Sequence, residues 1–266
     1  MNKLHLILSL FFSFVFISVA IAQDAPSDTI KVEKKQRWLR KSTLIPLPIA
    51  FYTPETRFGG GAATLFAFRF GKQTDEDRPS QVQLGLAYTQ ERQIIAYFPF
   101  QVFTKDAEYY YKGEIGYYRY SYRFYGIGND VPKENEERFQ VDFPRFRLDA
   151  QKLVKPNLYF GFRYWFDNYK ITEKLEGGLL DTQTITGQNG SRISGLGLIS
   201  TYDTRDIIFF PRKGYFIESE LFFNQKWTGS DFDYMRITID ATKYIPLGKK
   251  PTLAINAYGV SLHGNV

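Results

Sequence analysis

The chain contains no cysteine, which excludes a disulfide framework, thiolate catalysis and thiolate metal sites. Histidine is almost as scarce: of the two present, His5 lies in an apolar amino-terminal block and His263 stands close to the last residue. A Ser-His-Asp hydrolase would depend on that one imidazole, and no G-x-S-x-G elbow accompanies it, so the sequence predicts no enzyme. Beyond residue 22 no window approaches the roughly 18 consecutive apolar residues of a transmembrane helix. Strong charge is missing too. The formal net charge is +6, spread along the chain rather than clustered, so nothing calls for a nucleic-acid partner.

What the sequence does contain begins with a signal. Residues 1–22 carry Lys3, then the apolar block "LILSLFFSFVFISVAIA" and a small-x-small site at Ala20-Ile21-Ala22. That is the layout of a secretory signal peptide, and the mature chain is expected to start at Gln23. Residues 23–42 are polar and charged, and read as a flexible periplasmic leader. Residues 43–266 read as one domain. Export then ends in the periplasm, the outer membrane or the medium.

Aromatic residues make up 18% of the chain, with 25 Phe and 19 Tyr against 3 Trp, yet mean hydropathy is slightly negative. A transmembrane β-barrel needs that mixture, being apolar and aromatic outside and polar within. Its strands should alternate lipid-facing and lumen-facing side chains. Val82, Leu84, Leu86 and Tyr88 oppose Gln81, Gln83, Gly85, Ala87 and Thr89, while Phe160, Phe162 and Tyr164 oppose Gly161, Arg163 and Trp165. Phe146 and Leu148 oppose Arg147 and Asp149. Ile217 and Leu221 oppose Glu218 and Glu220, and Ile237 and Ile239 oppose Arg236 and Asp240. Charges recurring on one face suit a wet lumen better than a dry core. Eleven strands are predicted, at roughly 44–54, 58–71, 81–90, 93–104, 107–119, 138–153, 157–170, 192–203, 214–227, 232–245 and 251–262. Short turns at 72–80, 105–106, 154–156, 204–213 and 246–250 would lie on the periplasmic side. Long loops at 120–137 and 171–191 would lie outward.

The stretch "YDTRDIIFFPRKGYFIESELFF" sets Asp203, Arg205 and Asp206 before a Pro211-x-x-Gly214 turn and a long strand, and the next strand ends in Tyr244-Ile245-Pro246. Together with "FYTPETRFGGGAA" (51–63) and "FYGIGND" (124–130), these motifs resemble the barrel domain of the bacterial surface antigen family, the BamA/TamA-type assembly and translocation proteins. The resemblance covers roughly residues 43 to 263. It implies an all-β, antiparallel transmembrane β-barrel in the outer membrane of a diderm bacterium, with about eleven strands present of a probable sixteen. It also implies that the chain is a carboxy-truncated fragment without the family's amino-terminal POTRA domains or its sixth outer loop. Asp203, Arg205 and Asp206 are expected to form a charge-paired cluster at the barrel rim or just inside it, a turn staple closed by Pro211 and Gly214, with a direct role in gating or client contact as the alternative.

No cofactor or metal is expected. Glu218 and Glu220 share a strand face that lumen hydration explains. "FGGGAA" lacks the Lys-Ser/Thr of a phosphate loop, and "KENEER" (133–138) is a charged loop tip without calcium-ligand spacing. Three readings of function follow. A BamA/TamA-like protein would help proteins insert into or cross the outer membrane, pairing its first strand with client outer-membrane or secreted proteins by β-augmentation. Its partners would then be outer-membrane lipid, such clients and an unidentified periplasmic protein. Pro46, Pro48 and Pro54 would weaken the first-strand seam by withholding donors, although prolines also protect edges generally. The second reading is a passive or semi-plugged channel, and the third, a barrel-embedded enzyme, lacks a nucleophile-base pair.

Overall fold

The computed structural model describes residues 18–20, 42–69, 78–104, 107–208, 210–248 and 250–265. The expected signal peptide and leader therefore lie outside the described residues, apart from Ser18–Ala20 and Ser42; so do positions 72–77, 105–106, 209 and 249 of the expected turns and 70–71 of the expected second strand. The strands are β1 (Ser18–Ala20), β2 (Ser42–Thr53), β3 (Arg57–Phe68), β4 (Ser80–Thr89), β5 (Ile94–Phe103) and β6 (Tyr109–Phe124). They continue as β7 (Glu137–Lys155), β8 (Leu158–Glu173), β9 (Gly190–Asp203), β10 (Gly214–Asn224), β11 (Asp233–Pro246) and β12 (Thr252–Asn265). From β2 to β12 each strand pairs antiparallel with the next in sequence, an up-and-down meander.

The expectation of a barrel is corrected here, because the sheet does not close. Its order runs β1-β12-β11-β10-β9-β8-β7-β6-β5-β4-β3-β2, with β2 at one end and no pairing between β2 and β12. Among the described residues the outer edge of β12 pairs only with Ser18–Ala20, opposite Thr252–Ala254. On β2, Pro46 and Pro48 have the same strand parity, so two successive donors are missing from one edge of that strand. A full ladder to another strand cannot form along it.

The sheet nevertheless curls strongly around one face. On that concave face Arg78 reaches Asp203, Lys112 reaches Glu218 and Arg163 reaches Glu218, across intervening strands. Buried apolar clusters stand towards its ends: Phe103, Tyr110 and Tyr159 at the short-turn end, Tyr118, Val141 and Phe143 nearer the long loops. The convex face shows the reverse pattern, with Leu84, Leu86, Ile115, Phe162 and Ile239 exposed. A contiguous apolar surface of this extent is abnormal for a water-facing monomer.

β6 and β8 run further outward than the sequence predicts, to Phe124 and Glu173. The outward ends of β6 and β7 invert the pattern: Arg119 and Asp142 ion-pair on the convex side, while Tyr120, Tyr122 and Phe139 stack on the concave side. A search for apolar residues on the convex side ends such strands too early.

Candidate functional site

Four elements position the predicted turn cluster. Asp203, the last residue of β9, is buried, and Arg205 grips its carboxylate with Nε and Nη2, each at 2.9 Å. Arg78, ahead of β4, donates to the same carboxylate at 2.9 Å and to the Asp203 carbonyl at 2.8 Å. The Arg205 guanidinium also lies 4.5 Å from the Phe216 ring centre. Two arginines on one carboxylate tie β9 to the far side of the trough, and Arg78 was not singled out in the sequence because 125 positions separate the partners.

Asp206 sits apart from that pair. Its Oδ1 accepts the backbone N–H groups of Ile207, Arg212 and Lys213 at 3.0, 2.9 and 3.3 Å, folding the 204–213 turn around one carboxylate. Pro211 lies within this turn. Gly214 closes it at φ +110, where an added Cβ would lie 2.3 Å from the Thr204 carbonyl oxygen. Tyr244 faces Gly214 in register on β11, and Pro246 ends that strand opposite Thr252. The neighbouring turn is joined through Arg212, which donates to the Gly248 carbonyl at 3.2 Å. At the opposite rim the Pro54 carbonyl accepts from Arg123 at 3.3 Å.

Desolvation is the largest single influence and pushes the Asp206 carboxyl up, but the backbone donors together outweigh it and hold it below the usual aspartate range. A carboxyl lowered in the folded state contributes stability above its unfolded value, and that contribution disappears as pH falls through the folded value, hence below about pH 4. Asp206→Ala is therefore expected to lower stability by about 1 kcal/mol at neutral pH, an exposed-site magnitude, with the difference vanishing in acid. Paired urea titrations at pH 7 and pH 3 measure it.

The larger constellation lies mid-trough, around a cavity of about 470 Å³ bounded by residues from β4 to β12. Arg163 is its centre. It holds Asp149 through two 2.6 Å bonds and Glu218 through one of 3.0 Å, and it also donates to Glu220. Arg236 clasps the other Glu220 oxygen at 2.9 and 2.7 Å, and Lys112 meets Glu218 at 3.0 Å. A second knot sets Arg147 and Arg145 on Asp167 at 2.6 and 3.0 Å. Trp165 lies between the knots, with the guanidinium carbons of Arg147 and Arg236 at 4.2 and 4.3 Å from its ring centre. The five cations Lys112, Arg145, Arg147, Arg163 and Arg236 stand with the five anions Glu114, Asp149, Asp167, Glu218 and Glu220. These pairs stiffen the interior, and Asp240, which also lines the cavity and accepts from Asn256 at 2.6 Å, adds one further carboxylate. Among the described residues no group of three or more His, Asp or Glu is arranged to hold a metal.

A family model described as the Omp85 superfamily domain matches residues 49–265. Among solved structures the chain is similar to BamA from Haemophilus ducreyi lacking POTRA domains 1–3, at 14% identity and a TM-score of 0.49, over 94% of this chain and 46% of that one. The chain thus spans less than half the length of that relative. No curated protein matches.

Proposed function

Because this chain belongs to the Omp85 superfamily, and so among outer-membrane structural and transport proteins rather than enzymes, we propose that it assists the insertion or translocation of proteins at the outer membrane. The observation that carries this reading is the open sheet. Among the described residues strand β2 ends the sheet without a partner on its outer side, and an unpaired edge beside an apolar convex face offers backbone hydrogen bonds to an incoming strand. On this reading the convex face meets lipid, the segment 1–22 is removed on export, and residues 23–42 lie in the periplasm. The missing donors at Pro46 and Pro48 keep the edge from binding any strand along its full length, which favours exchange over permanent pairing. The polar cavity favours a second reading, a passive channel. Against it stand the ring clusters at both ends of the trough.

The absence of native cysteine makes the test clean. With a single cysteine at Ile49 and another in the final strand of a reporter barrel protein, full-length protein in lipid vesicles should give a disulfide-linked product during reporter insertion. Reporter insertion should also run about tenfold faster than in empty vesicles, about 1.4 kcal/mol off the barrier. Unchanged insertion together with stepwise ion conductance would sink this reading in favour of the channel.

A further inference from the structure

We propose that the outward rim of β4–β8 binds the phosphate of a phosphorylated glycolipid headgroup, just above the apolar band of the convex face. The proposal rests on the preceding reading in two respects, that this face meets lipid and that this rim is the outward one.

The polar boundary is sharp. On convex β6, Ile115 and Tyr117 give way to Arg119; on β7, Phe146 and Pro144 to Asp142; on β8, Phe166 to Asn168 and Lys170. The Tyr117 hydroxyl donates across this line to Asp142 at 2.8 Å, and Arg119 pairs with the same carboxylate at 2.7 Å. Tyrosines bridging an apolar band and a charged one mark the depth where headgroups begin.

Directly above the line is a cavity of about 210 Å³ lined by Gln90, Glu91, Arg92, Ser121, Arg138, Phe139, Gln140 and Glu173. Its lining holds two cations, Arg92 and Arg138, and two carboxylates, Glu91 and Glu173. Glu91 is engaged by Arg138 at 2.8 Å and also by Arg57, which lies beside the cavity, at 2.8 Å. Arg92 has no ion-pair partner among the described residues. With Arg57 counted, the rim around the cavity carries one positive charge more than its carboxylates offset. Arg57 and Arg92 also sit at φ 54 and φ 60, backbone that glycine or asparagine would adopt more easily.

Those groups divide between two chemistries. Arg92 and Arg138 suit phosphate oxygens, to which guanidinium donors bind by charge-assisted hydrogen bonds. The side chains of Gln90, Gln140, Ser121 and Glu173 suit sugar hydroxyls, and Glu173 would repel a headgroup of phosphate alone. A free anion uses half the site. The lipid-anchored glycan uses all of it and is delivered at the right depth by the apolar band.

The test titrates full-length protein in zwitterionic detergent micelles with a bisphosphorylated, acylated glucosamine disaccharide, counting bound lipid by native mass spectrometry. Binding should be at least about tenfold tighter than for the same glycolipid without phosphates. It should weaken about fivefold in Arg92→Gln, and further with Arg138→Gln added, as expected when charge-assisted contacts are lost one by one. Lys155→Gln at the opposite rim should change nothing. Arg92→Gln removes no internal ion pair, so it carries the test even if Arg138→Gln disturbs the fold. Equal binding of the dephosphorylated lipid, or indifference to both arginine substitutions, would overturn the proposal. So would millimolar inorganic phosphate competing as well as the glycolipid, which would identify an anion site only. Failure of the reporter-insertion assay with glycolipid binding intact would leave this site standing and remove the assembly role alone.

Discussion

Replacing Arg163 with methionine is expected to destabilise the protein by about 3–5 kcal/mol, the cost of breaking a buried ion pair by removing one partner. Arg163 is 5% exposed and serves three carboxylates. After the substitution Lys112 still meets Glu218 and Arg236 still meets Glu220, but no other cation hydrogen-bonds Asp149, which is 4% exposed. An isolated carboxylate at that depth is the source of most of the loss. Urea titration followed by the fluorescence of Trp165, whose ring packs against the same arginines, reads the change. Pairing Arg163→Met with Asp149→Leu should recover a large part of it, because two apolar groups of similar size remove the stranded charge. A single variant as stable as the parent would mean that water enters the trough freely and that the network is surface-like.

How much of this was legible in the sequence depends on the range of the interaction. Period-two alternation at Gln81–Thr89 and Leu158–Asp167 located β4 and β8, because facing is a local property of the pleat. The antiparallel meander of eleven long strands follows from such segments joined by short turns. Closure did not follow. It rests on aromatic composition, alternation and likeness to a complete barrel, whereas closure depends on which edges meet, a matter no single strand encodes. Pro46 and Pro48 were the available signal, read as a weakened seam when they also accompany an edge left unpaired. The extensions of β6 beyond Arg119 and of β8 beyond Lys170 are missed because residues 120–124 and 171–173 show no apolar face on the convex side, and the stacking of Tyr120, Tyr122 and Phe139 beneath them is visible only in the fold.

The same division holds for the candidate sites. Asp203, Arg205 and Asp206 were singled out as a cluster, and the 204–213 turn brings Asp203 and Arg205 together. Asp206 instead gathers backbone donors, a role that sequence spacing could not separate from charge pairing. Glu218 and Glu220 were recognised as inward-facing, but their partner Arg163 lies 55 and 57 positions earlier. Finding it requires the curl of the sheet as well as the alternation of one strand.

Gly161→Val should be at least as damaging as loss of Arg163, and for a different reason. Strand glycines look alike in sequence, yet Gly60 and Gly161 meet opposite surroundings. An added Cβ at Gly60 would find only the Ile49 carbonyl at 3.8 Å, an ordinary contact, so Gly60→Ala should change stability by less than about 1 kcal/mol. At Gly161 the same atom would lie 2.0 Å from the Ala150 carbonyl oxygen and 2.6 Å from the Gln151 Cα. Both are backbone atoms of β7, so no rotamer change relieves the clash, and β7 and β8 must separate. They would part next to the Asp149–Arg163 register pair, costing ladder hydrogen bonds together with the central ion pair. A loss of about 4–5 kcal/mol, at the far end of single-substitution effects, is expected. It would appear as protein that no longer shows the heat-dependent gel mobility shift of folded sheet and that unfolds at much lower urea. A Gly161→Val protein with the parent's urea midpoint would mean that β7 and β8 do not approach so closely, and the ion-pair geometry built on that approach would fall with it.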